Sequence, residues 1–353
     1  MLGPHEPAVE AAIRVDGLTK SFGDVRALDG VTFNAPRGSV LGVLGPNGAG
    51  KTTVVDILCT LTEPDAGSAT VAGRDVVADP AGVREAISMT GQYAALDETL
   101  GGRDNLVFFG RMLGLRRAAA RERADFLLER FDLTYAAKRP VFAYSGGMRR
   151  RLDIACGLIV EPSVVFLDEP TTGLDPRSRQ AVWSLVEALK QDGVTTLLTT
   201  QYLEEADRLS DAIVVLDRGR VVAEGTAAEL KERVGGTFCE AIPADPDDAP
   251  RLRSLLRDRL SADHHVASGA DSADSAEGAD SAEGADSAEG ADSAEGAVTL
   301  NAPNGVDTMA EVIAAAAGAG VALRDIGLRS PSLDDVFLRL TGGPPAAAPE
   351  PIR

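Results

Sequence analysis

Three short segments carry residue types and spacings suited to phosphate chemistry. Gly45-Pro-Asn-Gly-Ala-Gly-Lys-Thr-Thr53 fits the pattern G-x-x-x-x-G-K-[ST]. Glycines in such a loop let backbone N–H groups turn inward around phosphate oxygens, and a helix starting at its end adds partial positive charge. Gly45, Asn47, Gly48, Ala49, Gly50, Lys51, Thr52 and Thr53 are therefore the candidate nucleotide-contacting set. Lys51 can reach the β- and γ-phosphates of a nucleoside triphosphate, and Thr52 offers a hydroxyl to Mg²⁺. The second segment, Val164-Val-Phe-Leu-Asp168-Glu169, is an apolar run ending in two acids. Asp168 suits a carboxylate that organises Mg²⁺, and Glu169 is placed to orient or deprotonate an attacking water. The third, Tyr144-Ser-Gly-Gly-Met148, lies shortly before Asp168 and precedes a helical pattern. Ser145, Gly146 and Gly147 at a helix start would form a second anion-binding N-terminus. Taken singly, the segments also read as a glycine turn, a helix cap and a solvated acidic turn.

These segments need elements to hold them. Val40 to Leu44 is an apolar run leading into the first loop, and a helical pattern from Thr52 to Leu61 follows. Val164 to Leu167, Thr195 to Thr199 and Ile213 to Leu216 are further short runs, separated by helical stretches such as Arg179 to Lys190. The alternation predicts an α/β domain over 13–235 with a mostly parallel sheet covered on both faces. Leu106 to Ala137 reads as an inserted helical subdomain. Residues 1–12 and 342–353 read as flexible tails.

From 236 to 341 the pattern changes to a small α+β domain. Strands are expected at Thr237–Ile242, weakly at Ala262–Ala267, then at Ala297–Ala302 and Val321–Leu328. Helices are expected at Ala249–Leu260, Val306–Ala317 and Leu333–Leu340. The β-α-β-β-α-β order is ferredoxin-like. Between its middle strands, ADSAEG repeats four times within an acidic stretch at 270–296. Small polar residues cannot offset their ordering entropy by burial, so this stretch is expected to be disordered.

Composition narrows the function classes. The 353 residues carry a formal net charge of −19, unfavourable for a phosphate-backbone partner, so no nucleic-acid partner is expected. Cys59, Cys156 and Cys239 are too sparse for a disulfide framework or zinc site and read as buried, reduced thiols. No signal peptide or apolar run of bilayer-spanning length is evident. A role at a membrane would need spans from another chain.

With these motifs in order, the chain resembles the ATP-binding subunits of ABC transporters. Tyr144–Met148 resembles the ABC signature, and the resemblance runs from Ile13 to about Gly235. It implies a P-loop NTPase (ABC ATPase) fold with a helical signature subdomain, and ATP with Mg²⁺ as cofactors. It matches Gln92 to a glutamine that reaches the metal, senses the γ-phosphate and meets the membrane subunit. It matches Phe22 to an aromatic that stacks on adenine; an ordinary core aromatic is the plainer alternative. Asp175, in Gly173-Leu-Asp175-Pro, matches a loop crossing the interface of a homodimer, in which the signature of one copy closes over the ATP of the other. Gln201 stands where the family usually carries a switch histidine. Its amide can donate a hydrogen bond but cannot carry a proton.

Phrases such as Thr90-Gly-Gln-Tyr-Ala, Thr-Thr-Gln-Tyr-Leu-Glu-Glu-Ala-Asp and Arg329-Ser-Pro-Ser-Leu-Asp-Asp-Val-Phe-Leu resemble daunorubicin-resistance-type ATPases. That implies export of a drug-like small molecule through a separate ABC-2-type permease, with the chain peripheral on the cytoplasmic face of the membrane. A soluble ABC ATPase of DNA repair or translation, and a low-turnover nucleotide-dependent regulator, are the alternatives.

Overall fold

The computed structural model describes residues 11–91, 95–233, 237–259, 266–268, 297–302, 304–329, 332–333 and 336–337. Two compact units divide them, one ending at Ala227 and the other spanning Ala228–Arg339. The division falls at the start of the helix Ala227–Arg233, earlier than the 235/236 junction expected from composition.

The first unit is built on a six-stranded sheet ordered Arg220–Gly225, Ala212–Asp217, Val40–Leu44, Thr195–Thr200, Val164–Asp168, Ile87–Thr90. Its neighbours run parallel except Arg220–Gly225, which is antiparallel to Ala212–Asp217. Val40–Leu44, Val164–Asp168 and Thr195–Thr200 are buried at every position. Strands covered on both faces do not alternate, so they read as unbroken runs. Alternate residues of one strand feed different cores. Val165 and Leu167 pack with Leu127, Leu152 and Trp183, whereas Val164 and Phe166 pack with Phe33, Val54 and Ile57.

A second sheet in this unit lies outside the sequence expectation. Val25–Pro36, Ala11–Phe22, Ala66–Val71 and Arg74–Asp75 form an antiparallel sheet in that order. Its signal was present: buried Val31, Phe33 and Ala35 alternate with exposed Thr32, Asn34 and Pro36, as in a sheet with one wet face. The expected helical insert is realised by Gly102–Met112 and Arg117–Arg130, leading to the helix Gly146–Gly157. Leu106, Leu127, Leu128 and Leu152 supply its buried seam.

The second unit has strand order Val266–Ser268, Val298–Asn301, Phe238–Pro243, Leu323–Arg329, all antiparallel. With the helices Ala249–Arg259 and Val306–Gly318, it has the expected β-α-β-β-α-β order. Cys239, Leu252, Leu256, Val298, Leu300 and Val312 form its core. The expected strand at Ala262–Ala267 is seen at Val266–Ser268, and of the expected last helix only Leu333, Val336 and Phe337, all buried, are described among its apolar positions. The ADSAEG copies and residues 1–10 and 341–353 lie outside the described residues. The three cysteines are free and buried.

Candidate active site

The glycine-rich loop 45–53, the acid pair and Gln201 lie at the C-terminal ends of three adjacent parallel strands. Leu44 pairs with Thr200, and Asp168 pairs with Thr199. This edge of an open parallel sheet is where loops converge on ligands. The loop after Leu44 leads into the helix Lys51–Leu58, with Gly50 as its N-cap at φ 104°. A side chain at Gly45 would meet the Leu216 carbonyl at 2.3 Å, and one at Gly50 the Ala27 carbonyl at 2.7 Å. Both positions therefore require glycine, at Gly50 for the left-handed backbone as well.

Lys51 is 5% exposed. Its Nζ donates to the Gly45 carbonyl at 2.7 Å and the Pro46 carbonyl at 3.2 Å, and stands 3.5 Å from Glu169 Oε1. Burial pushes the ammonium pKa down, and the carboxylates of Glu169 and Asp168 oppose that shift. Asp168, 2% exposed, ends its strand. Its Oδ1 accepts from Thr199 Oγ1 at 2.5 Å and its Oδ2 from Thr52 Oγ1 at 3.4 Å. The Thr52 hydroxyl and Asp168 carboxylate are thus adjacent hard oxygens, the donor type that suits Mg²⁺.

Glu169 has φ 45°, in the left-handed region. That conformation costs a non-glycine residue about 1–3 kcal/mol and persists where neighbours enforce it. Its N–H donates to Thr199 Oγ1 at 3.0 Å and the Thr199 carbonyl at 3.2 Å, and Thr172 Oγ1 donates to Glu169 Oε2 at 3.1 Å.

A second cluster surrounds the signature. Ser145 caps the helix Gly146–Gly157, its hydroxyl accepting from Met148 N at 3.3 Å. A Cβ at Gly147 would lie 2.2 Å from Ser178 Oγ. Ser178 belongs to the helix Pro176–Gln191, which Asp175 caps by accepting from Ser178 N at 3.0 Å and Ser178 Oγ at 2.6 Å. Gly147 is therefore the point where the signature helix and the Asp175-capped helix meet.

Comparison with known proteins agrees with this arrangement. Residues 28–172 match the family model described as ABC transporter. A doxorubicin resistance ATP-binding protein of Mycobacterium tuberculosis is 52% identical over 337 residues, covering 95% of each chain. This chain belongs to the ABC transporter family, among its ATP-binding subunits. A daunorubicin/doxorubicin resistance ATP-binding protein of Streptomyces peucetius is 45% identical over 333 residues, covering 94% of this chain and 93% of that one. Among solved structures, cbiO1 of Clostridium perfringens, part of an ABC transporter complex, aligns with a TM-score of 0.59 and 28% identity, covering 64% of this chain and 93% of that one.

For an ABC ATP-binding subunit, the remaining expected residues fall as follows. Phe22 ends the strand Ala11–Phe22 and is 52% exposed, with Lys20 Nζ 5.6 Å from its ring centroid, so it is not a core aromatic. Gln201 lies half-buried between the strand Thr195–Thr200 and the helix Leu203–Leu209. Gln92 lies outside the described residues. Sequence reasoning missed Thr199, Thr172 and the buried Arg150. Thr199 left a trace, since threonines within a fully buried strand need partners; Arg150 left none, reading as one cation in an Arg-rich run.

Proposed function

We propose that this chain binds and hydrolyses ATP to energise export of a drug-like small molecule through a separate ABC-2-type membrane permease. It would work as a homodimer, peripheral on the cytoplasmic face of the membrane. The observation that carries the reading is the cluster of Lys51, Thr52, Asp168, Glu169 and Thr199 at one sheet edge. The residues suit Mg²⁺ and ATP: a buried cation beside a loop that excludes Cβ atoms, and adjacent hydroxyl and carboxylate oxygens. No helix among the described residues is long and apolar enough to cross a membrane, so in this reading the permease supplies the spans.

Mg²⁺-ATP supplies the phosphoanhydride bond. Lys51 balances charge on the terminal phosphates, while Gly45, Asn47, Gly48, Ala49, Gly50 and Thr53 wrap them. Thr52, Asp168 and Gln92 would hold Mg²⁺, which would neutralise charge on the phosphates. Glu169 orients the attacking water and accepts its proton at a carboxylate held by Thr172. Phe22 offers its exposed face to adenine. Ser145, Gly146 and Gly147 close over the nucleotide of the second copy, with Asp175 at the interface. Relatives named for doxorubicin resistance and for Nod factor export support an export role.

The test co-expresses the full chain with an ABC-2-type permease that co-purifies with it. Phosphate release from ATP in these membranes should vanish with Lys51→Ala and with Glu169→Gln. Cells with the wild-type pair should accumulate less doxorubicin than cells with the Lys51→Ala pair. Equal accumulation would remove the drug-export part, and an undetectable wild-type rate would remove the ATPase.

Gln201 motivates a second reading, a nucleotide-dependent regulator of low turnover. Steady phosphate release abolished by Glu169→Gln excludes it. Gln201→His, which restores a titratable group at the switch position, should leave hydrolysis dependent on Glu169.

A further inference from the structure

Arg150 lies on the signature helix, five residues after Ser145, and is 9% exposed. Its guanidinium reaches three backbone carbonyls on two other segments. Nη2 donates to the Asp168 carbonyl at 3.0 Å and Nε to the Pro170 carbonyl at 3.0 Å. These carbonyls lie on either side of Glu169, the residue held at φ 45°. Nη1 donates to the Gly91 carbonyl at 2.6 Å, at the end of the sheet-edge strand Ile87–Thr90.

One turn along the helix, buried Asp153 stands 3.6 Å from Arg150 Nη1 through Oδ2. Its Oδ1 accepts from Ala95 N at 3.3 Å. Burial pushes the arginine pKa down and the aspartate pKa up, and each charge opposes the other's shift. A planar fork can bond several carbonyls at once; an ammonium cannot reproduce that geometry.

We propose that Arg150, braced by Asp153, is a positioning residue for hydrolysis. It clamps the backbone on both sides of Glu169, fixing the strained conformation that aims the carboxylate. It also ties that conformation to the signature helix and to the backbone at Gly91 and Ala95. A buried ion pair is by itself weak evidence for stability, since apolar replacement of both partners is often tolerated. Its value here lies in where the three carbonyls sit. This role rests on the proposed ATPase reading.

The test measures steady-state ATP hydrolysis of the full chain with its permease, alongside affinity for a fluorescent ATP analogue and thermal unfolding. Two variants serve: Arg150→Lys, which keeps the charge without the fork, and the double variant Arg150→Met/Asp153→Leu, which removes both charges together. Each should unfold near the wild-type temperature and bind nucleotide within about threefold of wild type. Each should lose at least about tenfold in kcat, an effect of the size a misplaced catalytic group produces. Turnover within twofold of wild type in either folded variant overturns the proposal. So does parallel loss of nucleotide affinity, which would make the pair part of the binding site. If neither variant folds, the pair is a folding element and the proposal falls. Absence of turnover in the wild type would instead refute the ATPase reading on which this one stands.

Discussion

Thr199 Oγ1 donates a 2.5 Å hydrogen bond to Asp168 Oδ1 across the seam between two parallel strands. The same hydroxyl accepts from the N–H of Glu169 at 3.0 Å. One buried oxygen thus fixes the carboxylate proposed for Mg²⁺ and the backbone of the proposed general base. Thr199→Val keeps the shape and leaves Asp168 and Glu169 each short of a partner. Leaving a buried group unsatisfied costs about 1–3 kcal/mol. We expect that loss in chemical denaturation and a fall in kcat of at least about tenfold, from the same loosened positioning. Thr199→Ser should restore most of both. A valine variant with wild-type turnover would remove Thr199 from the machinery.

The left-handed backbone of Glu169 gives an unusual stability order. At ordinary positions alanine is more stable than glycine, because glycine loses more freedom on folding. At φ 45° the order should reverse, because only glycine adopts this region without strain. Both variants lose the side chain and should be inactive. Glu169→Gly should nevertheless exceed Glu169→Ala in unfolding free energy by about 1 kcal/mol. The comparison needs only denaturant titrations of the two proteins, and equal midpoints would show that the strain is relieved in solution.

Gly147 and Ser178 should behave as a coupled pair. The Cβ of Gly147→Ala would overlap Ser178 Oγ at 2.2 Å and Ser178 Cβ at 2.5 Å. Overpacking of this kind typically costs about 1–3 kcal/mol. Adding Ser178→Gly removes both clashing atoms, so the double variant should regain stability relative to Gly147→Ala. A double-mutant cycle measures this coupling. Additive losses would mean that the helices part without strain.

Glu205 is fully buried, with Oε1 accepting from Trp183 Nε1 at 3.0 Å. Burial pushes its pKa above the ordinary value, and hydrogen bonding and Arg179 oppose this. With the folded pKa raised, this carboxyl's contribution to stability is complete below its unfolded pKa and is lost as pH rises through the folded value. Glu205→Gln keeps an acceptor for the indole and cannot ionise. Its unfolding temperature should gain on wild type as pH rises from 4 to 8. Parallel profiles would mean that Glu205 stays charged in the fold without cost.

Much of the site was legible in the sequence because its conformations are local. The loop Gly45–Thr53 needs particular glycines within a few residues, and the strands that hold it are buried on both faces and read as unbroken runs. The α/β order of the first unit and the β-α-β-β-α-β order of the second followed from such patterns. The antiparallel sheet did not. Val31 to Pro36 alternates, but elsewhere its long strands carry glycines and register shifts that interrupt the pattern, as between Val15 and Leu18.

What only the tertiary structure decided is which distant residues meet. Thr199 reaches Asp168, Arg150 reaches Gly91, and Gly147 meets Ser178, each pair about 30 to 60 residues apart in the chain. A threonine in a buried strand or an arginine in a basic run has many possible partners. For the threonine the parallel sheet selects one by register, because strands distant in sequence become neighbours whose C-terminal ends must align; for the arginine the packing of its helix against the sheet does so. The sequence alone determined the groups proposed to hold a triphosphate. The sheet decided what the Asp168 carboxylate and the Glu169 backbone meet, because register sets Thr199 beside both.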